Sequence, residues 1–251
     1  MASESNLYHE LLAALADREE IYSGKLVATN AKCGASSKGD LLVIGRALNQ
    51  WDDDGFPISE LRGKRDITKE VASILRVDPS KDSCPLAWVV DHWGHDDYEY
   101  NTARSAFWRV ARKTSRALDL EWADAKNWSS HLVWSNLYKA SPADGPNPGN
   151  KLCSAQLDAC QKILNFELET FRPARVLMLT GYDWAYDFVT EGGFSKAHGR
   201  NGKVEWSGIW KSGKSTRHAS VVVCPHPQGK PEEPIVRDAV KSFKLLEDEN
   251  S

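Results

Sequence analysis

A chain of 251 residues, 41% of them hydrophobic, is long enough to bury a sizeable core and suits one α/β domain better than two small ones. Its formal net charge of −3 gives no global attraction to nucleic acid or to an anionic membrane, so DNA binding would need a local basic face. No stretch approaches the ~20 apolar residues of a membrane span, and MASESNLYHELLAALADREE has no basic segment followed by an apolar run. The expectation is a soluble, cytoplasmic protein with no membrane partner, and no protein partner is implied. Cys33, Cys84, Cys153, Cys160 and Cys224 are an odd number at wide spacings without a CxxC pair, which argues against a disulfide framework and against zinc.

In chain order, a helix is predicted over Asn6 to Tyr22, then a short apolar strand, DLLVIG, ending at Gly45. An irregular acidic stretch follows, then a helix at DITKEVASILRV and a loop rich in Trp, His and Asp. A longer helix runs from Thr102 to Leu118, SHLVWSNL is the next strand, and ADGPNPGN is a loop by its turn residues. Lys151 to Phe171 has helical periodicity, ARVLMLTG is a buried strand, and Tyr182 to Thr190 is a short helix. Two strands flank KSGKST, and a helix over Pro234 to Leu246 closes the series. Strands alternating with helices predict a three-layer α/β/α sandwich around a mainly parallel sheet of four or five strands, with residues 1–38 as an N-terminal helical extension. In such sheets ligands bind beyond the carboxyl ends of the strands, where Gly45, Asn136, Gly181 and His226 fall.

The strand SVVVC runs into Pro225-His226-Pro227. Each proline fixes its own backbone and restricts the residue before it, so His226 is aimed rather than loose. GIWKSGKS, Gly208 to Ser215, satisfies the phosphate-loop pattern G-x-x-x-x-G-K-[ST], but that loop needs a helix after it and here the strand RHASVVV follows. The plain reading is a hairpin turn whose Lys211, Lys214, Arg217 and His218 are exposed, or touch a nucleic-acid backbone. His92 and His95 among Asp91, Asp96 and Asp97 read as a solvated acidic loop, the alternative being a metal site with all its ligands crowded into one loop. Arg109, Arg112, Lys113 and Arg116 lie at helical spacing, either as a solvated face or as a phosphate-contacting one. Trp51, Trp88 and Trp93 fall in predicted loops beside the ligand edge, where a flat ring can stack on a base or a sugar.

The ordered set LLVIGRALNQW, VWSNLYKASPADGPNPG, LETFRPARVLMLTG and VVVCPHPQGK resembles the uracil-DNA glycosylase superfamily over Leu41 to Lys230. The resemblance implies a DNA partner and hydrolysis of the N-glycosidic bond of a flipped base. Asn136 would read the base edge and His226 would stabilise the departing base, with Gly45, Arg46 and Ala47 lining the base pocket. Tyr100 or Phe107 would stack on the base, their plain reading being ordinary core aromatics, and Gln228, Lys230, Lys139, Arg104 and Lys214 would contact DNA. The resemblance also has departures. Ala47 cannot activate water, so Asn49 would position one or Asp52, Asp53 or Asp54 would serve as base, their plain reading being an acidic turn. Ala140 stands where a ligand of the iron-sulfur members would follow the asparagine strand, so no cluster and no other cofactor is expected. Asn49 replaces the aromatic residue that blocks the pyrimidine 5-position in strict uracil enzymes, which points to a bulky 5-modified pyrimidine, such as the glucosylated hydroxymethylcytosine of some phage genomes, and to a defence role. Uracil repair, a catalytically silent nucleic-acid-binding module and a phosphate-loop enzyme are the alternatives.

Overall fold

The computed structural model describes residues 3–49, 55–61, 63–76, 84–143, 145–214 and 216–249. Along the chain these form α1 (Glu4–Ala16), β1 (Lys25–Ala28), β2 (Lys32–Cys33), β3 (Leu41–Gly45), β4 (Phe56–Pro57), α2 (Lys64–Ile74) and α3 (Ala87–Asp91). Then come α4 (Ala106–Ala117), β5 (Val133–Asn136), β6 (Ala140–Pro142), α5 (Asn150–Phe171), β7 (Arg175–Leu179) and α6 (Tyr182–Val189). The series ends with β8 (Phe194–His198), β9 (Trp206–Lys211), β10 (His218–Cys224) and α7 (Glu232–Asp248). The chain divides into two compact units, one of Met1–Ala31, Arg46–Asp78 and Asn136–Thr170, the other of Lys32–Gly45, Pro79–Ser135 and Phe171–Ser251.

In the first unit, β1 lies between β4 and β6 in a three-stranded antiparallel sheet, with Leu26 opposite both Phe56 and Pro142. α1 starts where the Ser3 hydroxyl accepts the Asn6 N–H at 3.2 Å, and buries Leu7, Tyr8, Leu11, Leu12 and Leu15, an apolar stripe at helical spacing. Residues 3–31, expected as part of an N-terminal extension, belong to this unit, with β1 at the centre of its sheet. The four short strands β1, β2, β4 and β6 carry two to four residues each, too few to show an alternation in sequence.

The second unit is built on a seven-stranded sheet in the order β2-β5-β3-β7-β10-β9-β8, larger than the four or five strands expected. β3, β7 and β10 run parallel and in register, with Leu41 and Ser220 both opposite Arg175. They are almost wholly buried, as their unbroken apolar runs require. β9 and β8 add antiparallel strands at one side, and β2 pairs antiparallel with β5 at the other, so the sheet is only partly parallel. α7 packs on β10 and on α4. Among the described residues, no helix is long and apolar enough to cross a membrane.

Candidate functional site

Three adjacent parallel strands end on one edge of the second unit's sheet. β3 ends at Gly45, β7 at Leu179 followed by Thr180 and Gly181, and β10 at Cys224 followed by Pro225 and His226. Gly181 has φ of 83°, a conformation that strains any residue with a side chain, and its N–H donates to the Cys224 carbonyl at 2.8 Å, tying two strand ends together. His226 is half-buried between two buried prolines. The Gln228 N–H donates to its Nδ1 at 3.4 Å, and the Lys230 N–H closes the turn on the Pro227 carbonyl at 3.0 Å. In the tautomer whose Nδ1 accepts this bond, the ring hydrogen is on Nε2. Gln228 and Lys230 are exposed beyond it.

Asn136 is the last residue of β5, the neighbour of β3 in the sheet, and is buried. The turn after it is tied to the segment that leaves β3, because the Tyr138 N–H donates to the Arg46 carbonyl at 3.0 Å. Two of the segments singled out in the sequence therefore lie side by side. Along the first, Arg46 and Ala47 are half-buried, Leu48 is buried and Asn49 is exposed. Trp51, Asp52, Asp53 and Asp54 lie outside the described residues, and with them the candidate bases for water activation.

Lys139 is a correction. A DNA contact requires an exposed ammonium, whereas this side chain is 0% exposed and faces the equally buried Glu167 of α5. Its Nζ lies 2.7 and 3.0 Å from the two Glu167 oxygens and 2.6 Å from the Asn136 carbonyl. Gln156, also on α5, accepts the N–H groups of Lys139 (3.2 Å) and Ala140 (2.9 Å) on one amide oxygen and donates to the Ala140 carbonyl at 2.8 Å. Burial and the nearby Glu167 carboxylate push the Tyr8 hydroxyl well above the usual phenol range, so it stays protonated and donates to the Thr29 carbonyl at 2.9 Å. Burial pushes the Cys160 thiol up to about 12, and all five cysteines are free thiols.

The remaining candidates are scattered over the second unit. Tyr100 is 47% exposed, with its ring 6.2 Å from that of Trp88. Trp88 is helical, not in a loop, and packs edge-on against Trp108 and Trp134. Phe107 is half-buried, edge-on to Trp108 at 5.1 Å. Arg104 is exposed and paired with Asp96 at 2.9 Å. The basic face of α4 is largely neutralised: Arg109 and Lys113 bind Glu232 of α7, Lys113 also binds Glu233, and Arg116 binds Asp124. Arg112 lies over Trp93 and Trp128, with its guanidinium carbon 5.1 and 5.5 Å from the ring centroids. Gly208 to Lys214 spans the end of β9 and the start of the turn towards the antiparallel β10, which among the described residues is the next element, and Lys211 and Lys214 are exposed there. Among the described residues no three His, Cys, Asp or Glu side chains are grouped to hold a metal. A surface groove of about 460 Å³ in the first unit, lined by His9, Glu10, Leu61 and Ile67 among others, contains none of the residues expected at the site.

No family model matches the chain, and no curated protein matches it. The residues missed from sequence are Gln156 and Glu167. Their signal was present, since Gln156, Cys160, Ile163 and Glu167 follow the i, i+4, i+7, i+11 spacing of one helix face and all are buried. A polar residue at each end of an apolar stripe is what a buried hydrogen-bonded clamp looks like in sequence.

Proposed function

We propose that the chain is a DNA glycosylase that hydrolyses the N-glycosidic bond of a flipped 5-modified pyrimidine, with a fold of the uracil-DNA glycosylase kind, a three-layer α/β/α sandwich. The observation that carries the reading is His226, set just beyond the carboxyl end of β10 with its Nδ1 held by the Gln228 N–H. As the glycosidic bond breaks, its electron pair leaves with the base and positive charge develops on the sugar. A neutral imidazole with its hydrogen on Nε2 donates to that developing anion without repelling the sugar cation. One such donor supplies about 10²–10³ in rate, or ~2.7–4 kcal/mol. The resemblance gives the buried Asn136, at the end of β5, the part of base reader. Water adds its oxygen to the sugar C1′, and the proton it loses ends on the departed base, leaving an abasic site and the free base.

Flipping costs a few kcal/mol in a duplex and less in a single strand. A substituent at the pyrimidine 5-position meets Asn49 in place of an aromatic ring, which supports the bulky base over plain uracil. The test uses oligonucleotides bearing uracil, 5-hydroxymethylcytosine or glucosylated 5-hydroxymethylcytosine, with alkali to cut abasic sites and mass spectrometry to detect the released base. Release of the modified base, lost in His226→Ala, is the expected result. Release of none of the three bases would reject the reading.

A further inference from the structure

The tripeptide Leu137-Tyr138-Lys139 joins β5 to β6. Three successive N–H groups here are taken, Tyr138 by the Arg46 carbonyl at 3.0 Å and Lys139 and Ala140 by the Gln156 amide oxygen. The Lys139 carbonyl accepts the Thr29 N–H at 3.0 Å, and its ammonium reaches back to the Asn136 carbonyl at 2.6 Å. The counter-charge on that ammonium is Glu167, 2% exposed and using both oxygens.

Stability alone gives little reason for such a pair. The desolvation of two ions roughly cancels their attraction, and replacing both by apolar residues of similar volume is often neutral or stabilising. What the pair does accomplish is geometric. An ammonium fixed by a carboxylate on α5 pins the carbonyl of the residue whose side chain would read the base, and with it the peptide plane from which that side chain departs.

We infer that Lys139 is a positioning residue, clamped by Glu167, that orients Asn136 for base recognition. The inference rests on the glycosylase reading for its consequence in catalysis, but the clamp itself has its own readout. A displacement of about 1 Å at a recognition group costs on the order of 10²-fold in rate.

The test is the paired substitution Lys139→Met with Glu167→Leu, which leaves no lone buried charge, compared with wild type and with Asn136→Ala, and the same pair placed in the Asn136→Ala background. Thermal melting checks folding. The expected result is a fall in kcat of at least tenfold when Asn136 is present and little further fall when it is already alanine, because the pair acts through that side chain. Equal losses in both backgrounds would show a merely structural role, and unchanged turnover would show no role; either overturns the inference. Should wild type release no base, the glycosylase reading falls separately, and hydrogen exchange still decides the clamp: the amides of residues 138–140 should exchange faster in the paired variant while those of β3 and β7 do not. Unchanged exchange at 138–140 would contradict it.

Discussion

Glu232 opens α7 and collects two cations from α4, so the change Glu232→Gln tests how that basic helix is used. Arg109 places Nε 2.8 Å from Glu232 Oε1, with Nη2 on the same oxygen, and Lys113 Nζ lies 3.1 Å from Oε2. The carboxylate is 13% exposed, its partners 33% and 38%, so the group stands between a surface pair worth under about 1 kcal/mol and a buried one worth ~3–5. About 1–2 kcal/mol is expected, helped by its place at a helix N-terminus. Burial by itself would raise this carboxyl, but Arg109 and Lys113 outweigh it and hold the group below the ordinary glutamate range. A depressed folded value means that the contribution is complete above the unfolded pKa, near 4.3, and is lost as pH falls through the folded value. Urea unfolding should therefore show the variant weaker by this amount at pH 7, with the gap closing as the pH falls below about 4. A gap of equal size at pH 7 and pH 3.5, or none at pH 7, would refute the assignment of charge pairing to Glu232.

Two further changes address the substrate. Asn49→Tyr should lower release of a bulky 5-substituted pyrimidine far more than release of uracil, since a steric clash cannot be relieved by water; proportional losses on both, measured side by side with melting curves, would leave Asn49 only a turn residue. Between Glu205 and Glu232 the chain has no acidic residue, and Lys211 and Lys214 stand exposed at the β9–β10 turn. Lys211→Glu with Lys214→Glu should weaken DNA binding at every sequence and reduce the slope of log affinity against log salt by roughly one for each phosphate no longer neutralised; an unchanged slope would remove this turn from the DNA interface.

The long elements were legible because each carries its own periodicity. β3, β7 and β10 are unbroken apolar runs, and α5 is 22 residues of helical spacing, so both their type and approximate place could be read. The short strands β1, β4 and β6 were not, because two to four residues acquire strand geometry only from partners far along the chain, as when Leu26 meets Phe56 and Pro142. β8 was hidden differently: its pattern FSKAH is mostly exposed, so it lacks the apolar face by which strands are recognised. The placing of His226 just beyond β10 was legible from its flanking prolines. Lys139 was misread because a lysine in a polar-looking turn is usually solvated, and only the folded α5 brings Glu167 to it. The same limit applies to α4, whose basic spacing is plain in sequence while the carboxylates that neutralise it come from α7 and the loop after α4.

The central claim is that His226 serves the departure of a base from DNA. Single-turnover release of free base from an oligonucleotide carrying glucosylated 5-hydroxymethylcytosine tests it most directly, with wild type compared against His226→Ala at equal folding. The account predicts release by wild type and a rate lower by roughly 10²-fold or more in the variant, the loss expected when one donor to a developing anion is removed. Equal rates in the two proteins would contradict it.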